Sequence, residues 1–149
     1  MSKILQALLA GTLFTFILDF FLFLGIKLNY IDTYDIDVYY NILFADHQNI
    51  FLYGILSFLF GFLIIYVNHK ISISIALFFA LLASSTLISP IGHKVGELLL
   101  MQKNISFHDD KYTYHGDVYY DGRKTLAFYD YELKKVIILQ KNKLKETIK

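Results

Sequence analysis

The chain has 149 residues, 56% of them apolar, and a mean hydropathy of +0.47, too hydrophobic for an ordinary soluble domain of this length. Its formal net charge of +1 comes with no basic stripe that could neutralise phosphates, so nucleic acid is excluded as a partner. The absence of cysteine excludes disulfides, thiolate metal ligands and a cysteine nucleophile.

The first predicted element is the run Leu5 to Ile26, LQALLAGTLFTFILDFFLFLGI. Its roughly 22 residues would make a helix of about 33 Å, enough for the roughly 30 Å hydrocarbon core of a bilayer. It is longer than the apolar region of a signal peptide and no A-x-A-like site follows Gly25, so it reads as an anchor. One carboxylate, Asp19, lies inside it. Counting back by fours from Asp19 gives Thr15, Gly11 and Ala7, a small-residue stripe suited to close helix packing.

Residues 27–49 form an acidic, tyrosine-rich loop with Asp32, Asp35, Asp37 and Asp46. Ile36 to Ala45 is too short to cross and reads as an amphipathic helix along the interface. The second apolar run, Ile50 to Val67, carries no charge and has Tyr53 and Tyr66 near its ends, where headgroups favour such rings. Within it Ser57 and Gly61 make another small pair. The third run, Ile71 to Ile91, holds Ala76, Ala80 and Ser84 at helical spacing, then Ser85 and Thr86, and is ended or kinked by Pro90 and Gly92. Only Asn68, His69 and Lys70 separate the second and third runs, which makes them a tight antiparallel hairpin.

After Gly92 the helix is expected to resume from Val95 to Lys103, and from Ile105 the pattern changes to period two. Tyr112, Tyr114, Val118 and Tyr120 share one parity. A three-residue loop over Tyr120-Asp121-Gly122, with Gly122 left-handed, would pair Gly116 with Leu126 and Tyr114 with Phe128 and keep one apolar face. Ile105 and Phe107 supply an earlier strand across an Asp109-Asp110 turn, and Val136 to Leu139 a later one. The expected fold is therefore a membrane α-helical domain of three transmembrane helices (residues 1–104) followed by a small C-terminal antiparallel β-meander (residues 105–149). Tyr119, Tyr129 and Tyr131 make the meander's second face aromatic. A sheet this small needs support from the membrane rim or another chain.

Asp19 is the costliest residue, because a charged Asp at a bilayer centre costs about 2.5 to 3.5 kcal/mol. Matching depths across three helices of equal level puts it beside Ser57, Ser84, Ser85 and Thr86. That predicts a bundle centred on a hydrogen-bonded polar cluster with Thr15, in which Asp19 packs rather than relays protons or cations. His47, His93, His108 and His115 all fall on one side of a three-span chain, as do Asp46 and Glu97, and are the candidate metal ligands. His108 and His115 are the best pair, sharing one hairpin face. None has a close ligand spacing, and no cofactor is expected. No phosphate loop, nucleophile elbow, H-E-x-x-H or dinucleotide fingerprint occurs.

These readings describe a multi-pass membrane protein, non-enzymatic, whose partners are the lipid bilayer and another membrane or envelope protein or a second copy. It would serve as a scaffold, assembly or sensing subunit. The alternatives are a proton or cation transporter or channel component using Asp19, and last a membrane-bound metal enzyme. The lysine-rich, Ile-, Phe-, Tyr- and Asn-rich bias is that of an AT-rich genome and suggests a bacterial inner membrane. Lys3 and Lys70 against Lys27 and Lys94 tie the positive-inside count, and Lys103 and Lys111 lean the other way. The acidic first loop favours an N-terminus inside and the tail outside.

Overall fold

The computed structural model describes residues 2–109 and 112–146, so Asp110 of the expected Asp109-Asp110 turn lies outside the described residues. Helix α1, Lys3–Ile26, starts where the Ser2 hydroxyl accepts from the Leu5 amide at 3.3 Å. It does not stop at Lys27 but widens into a π-helical turn, Lys27–Ile31. The continuous helix from Lys3 to Ile31 is long and apolar enough to cross a membrane.

Two further side-chain caps, both asparagines, start the third and fourth helices. Helix α2 spans Tyr40–His47, and α3, Ile50–Tyr66, is capped by the Asn49 side chain, which accepts from the Phe51 and Leu52 amides at 3.1 Å. Asn68 caps α4, His69–Ser85, in the same way through the Lys70 amide at 3.0 Å. Helix α5 spans Ser89–Leu100 with Pro90 in its first turn, where a missing N–H costs nothing.

The third apolar run is therefore not one helix to Ile91: it breaks at Thr86 to Ile88, before Pro90, and the next helix starts at Ser89 instead of resuming at Val95. Pairs α2–α3 and α4–α5 are each bent by 88°, and by length and composition the chain offers one span, or up to three if each bent pair supplies one. Alone, α3 and α4 have 17 residues each, about 25 Å at the helical rise.

The tail is an antiparallel sheet built from β1 (Gln102–His108), β2 (Thr113–Asp121), β3 (Thr125–Asp130) and β4 (Lys135–Gln140). The two-residue β5, Lys145–Glu146, joins the far edge of β1, giving the order β4-β3-β2-β1-β5. This extends the expected four-strand meander. The expected β2–β3 register is not the one formed. Gly116 pairs with Asp130 rather than Leu126, and Val118 rather than Tyr114 lies opposite Phe128. The turn falls on Arg123-Lys124, closed by the Gly122 amide donating to the Thr125 carbonyl at 3.0 Å. No described glycine has a positive φ, so Gly122 is not left-handed.

The physical reason is a bulge between Val118 and Tyr120. A parity argument assumes an unbroken strand, but one extra residue here turns both Tyr119 and Tyr120 to the same face. The sheet then has two buried faces. Phe107, Val118, Leu126, Phe128 and Leu139 form a small core of their own, against which Leu144 packs as the chain leaves β4. Tyr119, Tyr120 and Ala127 join a second core with Phe23, Ile26, Tyr30, Ile31, Leu43 and Leu100 from the helices. The support that so small a sheet needs thus comes from the helical part of its own chain.

Candidate functional site

The small residues of α1 and α3 meet in a seam. A Cβ on Gly11 would lie 1.9 Å from the Ser57 carbonyl oxygen, and one on Gly61 2.1 Å from that of Ala7, so the two backbones run antiparallel in direct contact. Thr15 and Ser57 are buried there, and neither hydroxyl has a hydrogen-bond partner among the described residues. Tyr53 adds a bond across the seam, its hydroxyl donating to the Thr12 carbonyl at 3.0 Å. On α4, Ala76, Ala80 and Ser84 are half-buried.

Asp19 is not surrounded by hydroxyls. Its Oδ2 accepts from Gln48 Nε2 at 2.8 Å, a residue in the corner between α2 and α3. Ser85 donates instead to the Leu82 carbonyl at 2.6 Å, and Thr86 to the carbonyls of Ala83 at 2.7 Å and Phe21 at 3.1 Å. The expectation failed because it set all three helices at one level. With Gly11 against Ser57, Asp19 comes level with the start of α3, and the following two turns and the π-helical turn of α1 stand above it.

That projecting end is gripped on several sides. Glycines at 25, 92 and 96 let α1 and the π-helical turn approach the α4–α5 corner: a Cβ on Gly25 would strike Thr86, and one on Gly96 would sit 2.4 Å from the Tyr30 ring. Asn29 Nδ2 donates to the Thr86 carbonyl at 2.9 Å. His93 Nδ1 lies 3.0 Å from the Asn29 carbonyl, so that nitrogen carries the proton and Nε2 faces the Tyr34 hydroxyl at 3.4 Å. Tyr30, fully buried, donates to the Tyr119 carbonyl at 3.0 Å. The Tyr34 and Tyr119 rings lie 4.1 Å apart, and Tyr119 stacks on Tyr129 at 5.7 Å. Burial, then the neighbouring Tyr34 and Asp117, pushes the Tyr119 phenol up to about 12.

A second grip joins the sheet to α2. Tyr120 donates to Asp46 Oδ2 at 2.9 Å, and the nearly buried Asp46 carboxylate pairs with Arg123 Nε at 2.5 Å. Arg123 also donates to the Ala45 carbonyl at 3.3 Å, at the negative end of α2. Burial and the Asp46 carboxylate raise the Tyr120 phenol as well.

The candidate metal ligands take separate partners. His47 lies against the Leu43 carbonyl and the Tyr120 ring, and His93 is held as above. His108 meets Thr113 at 2.9 Å and His115 meets Ser106 at 2.8 Å across the β1–β2 ladder, on one face as their parity requires. Among the described residues no three His, Asp or Glu side chains gather closely enough to hold an ion.

Sequence reasoning missed Gln48, Asn29, Tyr30 and Arg123. Asn29 and Tyr30 lie three and four residues beyond the end of the first apolar run, and a helix continuing past Lys27 would have flagged both; Arg123 was visible only as the sole arginine. No family model matches this chain, and neither a curated protein nor a solved structure gives a significant match.

Proposed function

We propose that the chain is a small multi-pass membrane protein that acts as a non-enzymatic assembly or scaffold subunit, with α1, α3 and α4 as its three spans. The supporting observation is the bare apolar flank of these helices: Leu13, Phe51, Phe58, Phe78 and Leu81 are all more than half exposed, Phe51 by 81%. Such a flank is costly in water and costs nothing against acyl chains. The α2–α3 and α4–α5 bends lie at the same end as the sheet, which fits α2 and α5 lying along one interface.

The polar groups above that level support the subunit reading, because they are spent on holding the chain together. Tyr30, Asn29, His93, Tyr120, Asp46 and Arg123 each bond to another element of the same molecule. In this reading Asp19 is a packing residue near the interface, bonded to Gln48, where a carboxylate costs less than at mid-depth. The N-terminus is cytoplasmic and the sheet lies on the opposite side.

Carbonate extraction and reporter fusions test this. The chain should stay with the membrane, and fusions at Lys70 and Lys149 should report opposite sides. Release by carbonate, or one side for both fusions, would rule it out. Mild-detergent purification should then return a stoichiometric protein partner or a homo-oligomer, and a monomer alone would remove the subunit role.

A further inference from the structure

The cleft between α2 and the β2–β3 turn is a second polar feature, and holding the fold does not use it up. It encloses about 500 Å³ and is lined on the α2 side by Asp37 and Ile42, on the sheet side by Arg123 and Lys124, with Asp46 at its base. That volume lies in the range of small-ligand sites.

Its charges are placed and partly unspent. Asp46 fixes Arg123 through Nε, and Ala45 takes one Nη2 hydrogen, which leaves further guanidinium donors free; the side chain is 71% exposed. The Lys124 ammonium and the Asp37 carboxylate have no partner among the described residues. One wall is thus cationic, with fork and point charge side by side, and the other carries a lone carboxylate. Apolar surface adjoins them: Ile42 on α2 lines the cleft and is exposed.

Location selects the ligand. This step rests on the three-span reading above: if α3 crosses the bilayer, α2, turned by 88° from it, lies along the surface, and the cleft beside α2 opens at headgroup level. We infer that the cleft binds the headgroup of a zwitterionic phospholipid, its phosphate against Arg123 and Lys124 and its ammonium toward Asp37, with the acyl chains leaving past Ile42. Arg and Lys together suit a phosphate diester, and a carboxylate opposite suits an amine.

The test uses the full chain, purified in a non-ionic detergent, with native mass spectrometry counting bound lipid. Phosphatidylethanolamine should be retained, while diacylglycerol of the same chains and inorganic phosphate should not. Lys124→Gln, which breaks no ion pair, should weaken retention about fivefold, as expected for one lysine at a membrane surface. Lys135→Gln, at the opposite end of the β3 hairpin, should not. Asp37→Asn should weaken phosphatidylethanolamine and leave phosphatidylglycerol unchanged. Equal retention of diacylglycerol, capture of inorganic phosphate with equal affinity, or equal effects of the two lysine variants would overturn the inference. A chain that resists carbonate yet fails these arms sinks this inference alone; a chain released by carbonate sinks the membrane reading and this inference together.

Discussion

Gly11 and Ser57 touch backbone to backbone: a single methyl group on Gly11 would sit 1.9 Å from the Ser57 carbonyl oxygen. No rotamer relieves that clash, since the obstacle is main chain. Gly11→Ala should therefore push α1 from α3 and cost about 1 to 3 kcal/mol, the range for overpacking. Gly54→Ala is the internal control. A Cβ there meets nothing within 4 Å, so it should be neutral or stabilise by up to about 1 kcal/mol. Thermal unfolding of both variants in one detergent checks the difference.

Asp19 and Gln48 should be coupled. Asp19→Asn keeps an acceptor for Gln48 Nε2, whereas Asp19→Leu strands it. Near-normal stability is expected for Asn, and a loss of about 0.6 to 2 kcal/mol for Leu. The double-mutant cycle with Gln48→Leu should recover most of that loss as interaction energy. A wild-type cation flux in vesicles, abolished by Asn in a folded protein, would restore the relay reading instead.

Alkaline pH should loosen the sheet from the helices. The Tyr119 phenol is raised to about 12 in the folded protein, so the unfolded chain releases its proton first as pH passes the ordinary tyrosine value near about 10. Between these values the folded state binds the extra proton, and stability falls as pH rises. Below them the contribution is complete. Comparing unfolding midpoints at about pH 9 and about pH 11 should show a smaller decline for Tyr119→Phe than for wild type.

Gly96 should tolerate no side chain. A Cβ would meet Tyr30 Cβ and Cγ at 2.4 Å, and Tyr30 is pinned by its bond to the Tyr119 carbonyl. Gly96→Ala should expose the α5 and β2 junction to limited proteolysis, while Tyr30→Phe should cost only about 1 kcal/mol for the lost hydrogen bond.

Local pattern carried a large part of this fold. Apolar runs located α1, α3 and α4 because a helix needs only a continuous stretch of suitable residues and a cap, and Ser2, Asn49 and Asn68 are in place to provide one. Alternation located the four main strands for the same reason. The small residues at 7, 11, 57 and 61 marked a seam, since spacing by four decides which residues share a helix face.

The level at which the helices meet was settled by tertiary structure alone. Nothing local says that α1 continues past Lys27 as a π-helical turn and stands above α3, and that offset moves Asp19 from four hydroxyl neighbours to Gln48. The β2–β3 register depended on the same information. Parity along β2 favoured one apolar face, but the bulge at Tyr119 is stabilised by contacts far along the chain: Tyr30 on its carbonyl, Asp46 on the next hydroxyl, and a helical core beneath both rings. A periodic pattern fixes which face a residue takes only while the strand is unbroken, and only the packed partner decides where breaking it lowers the free energy.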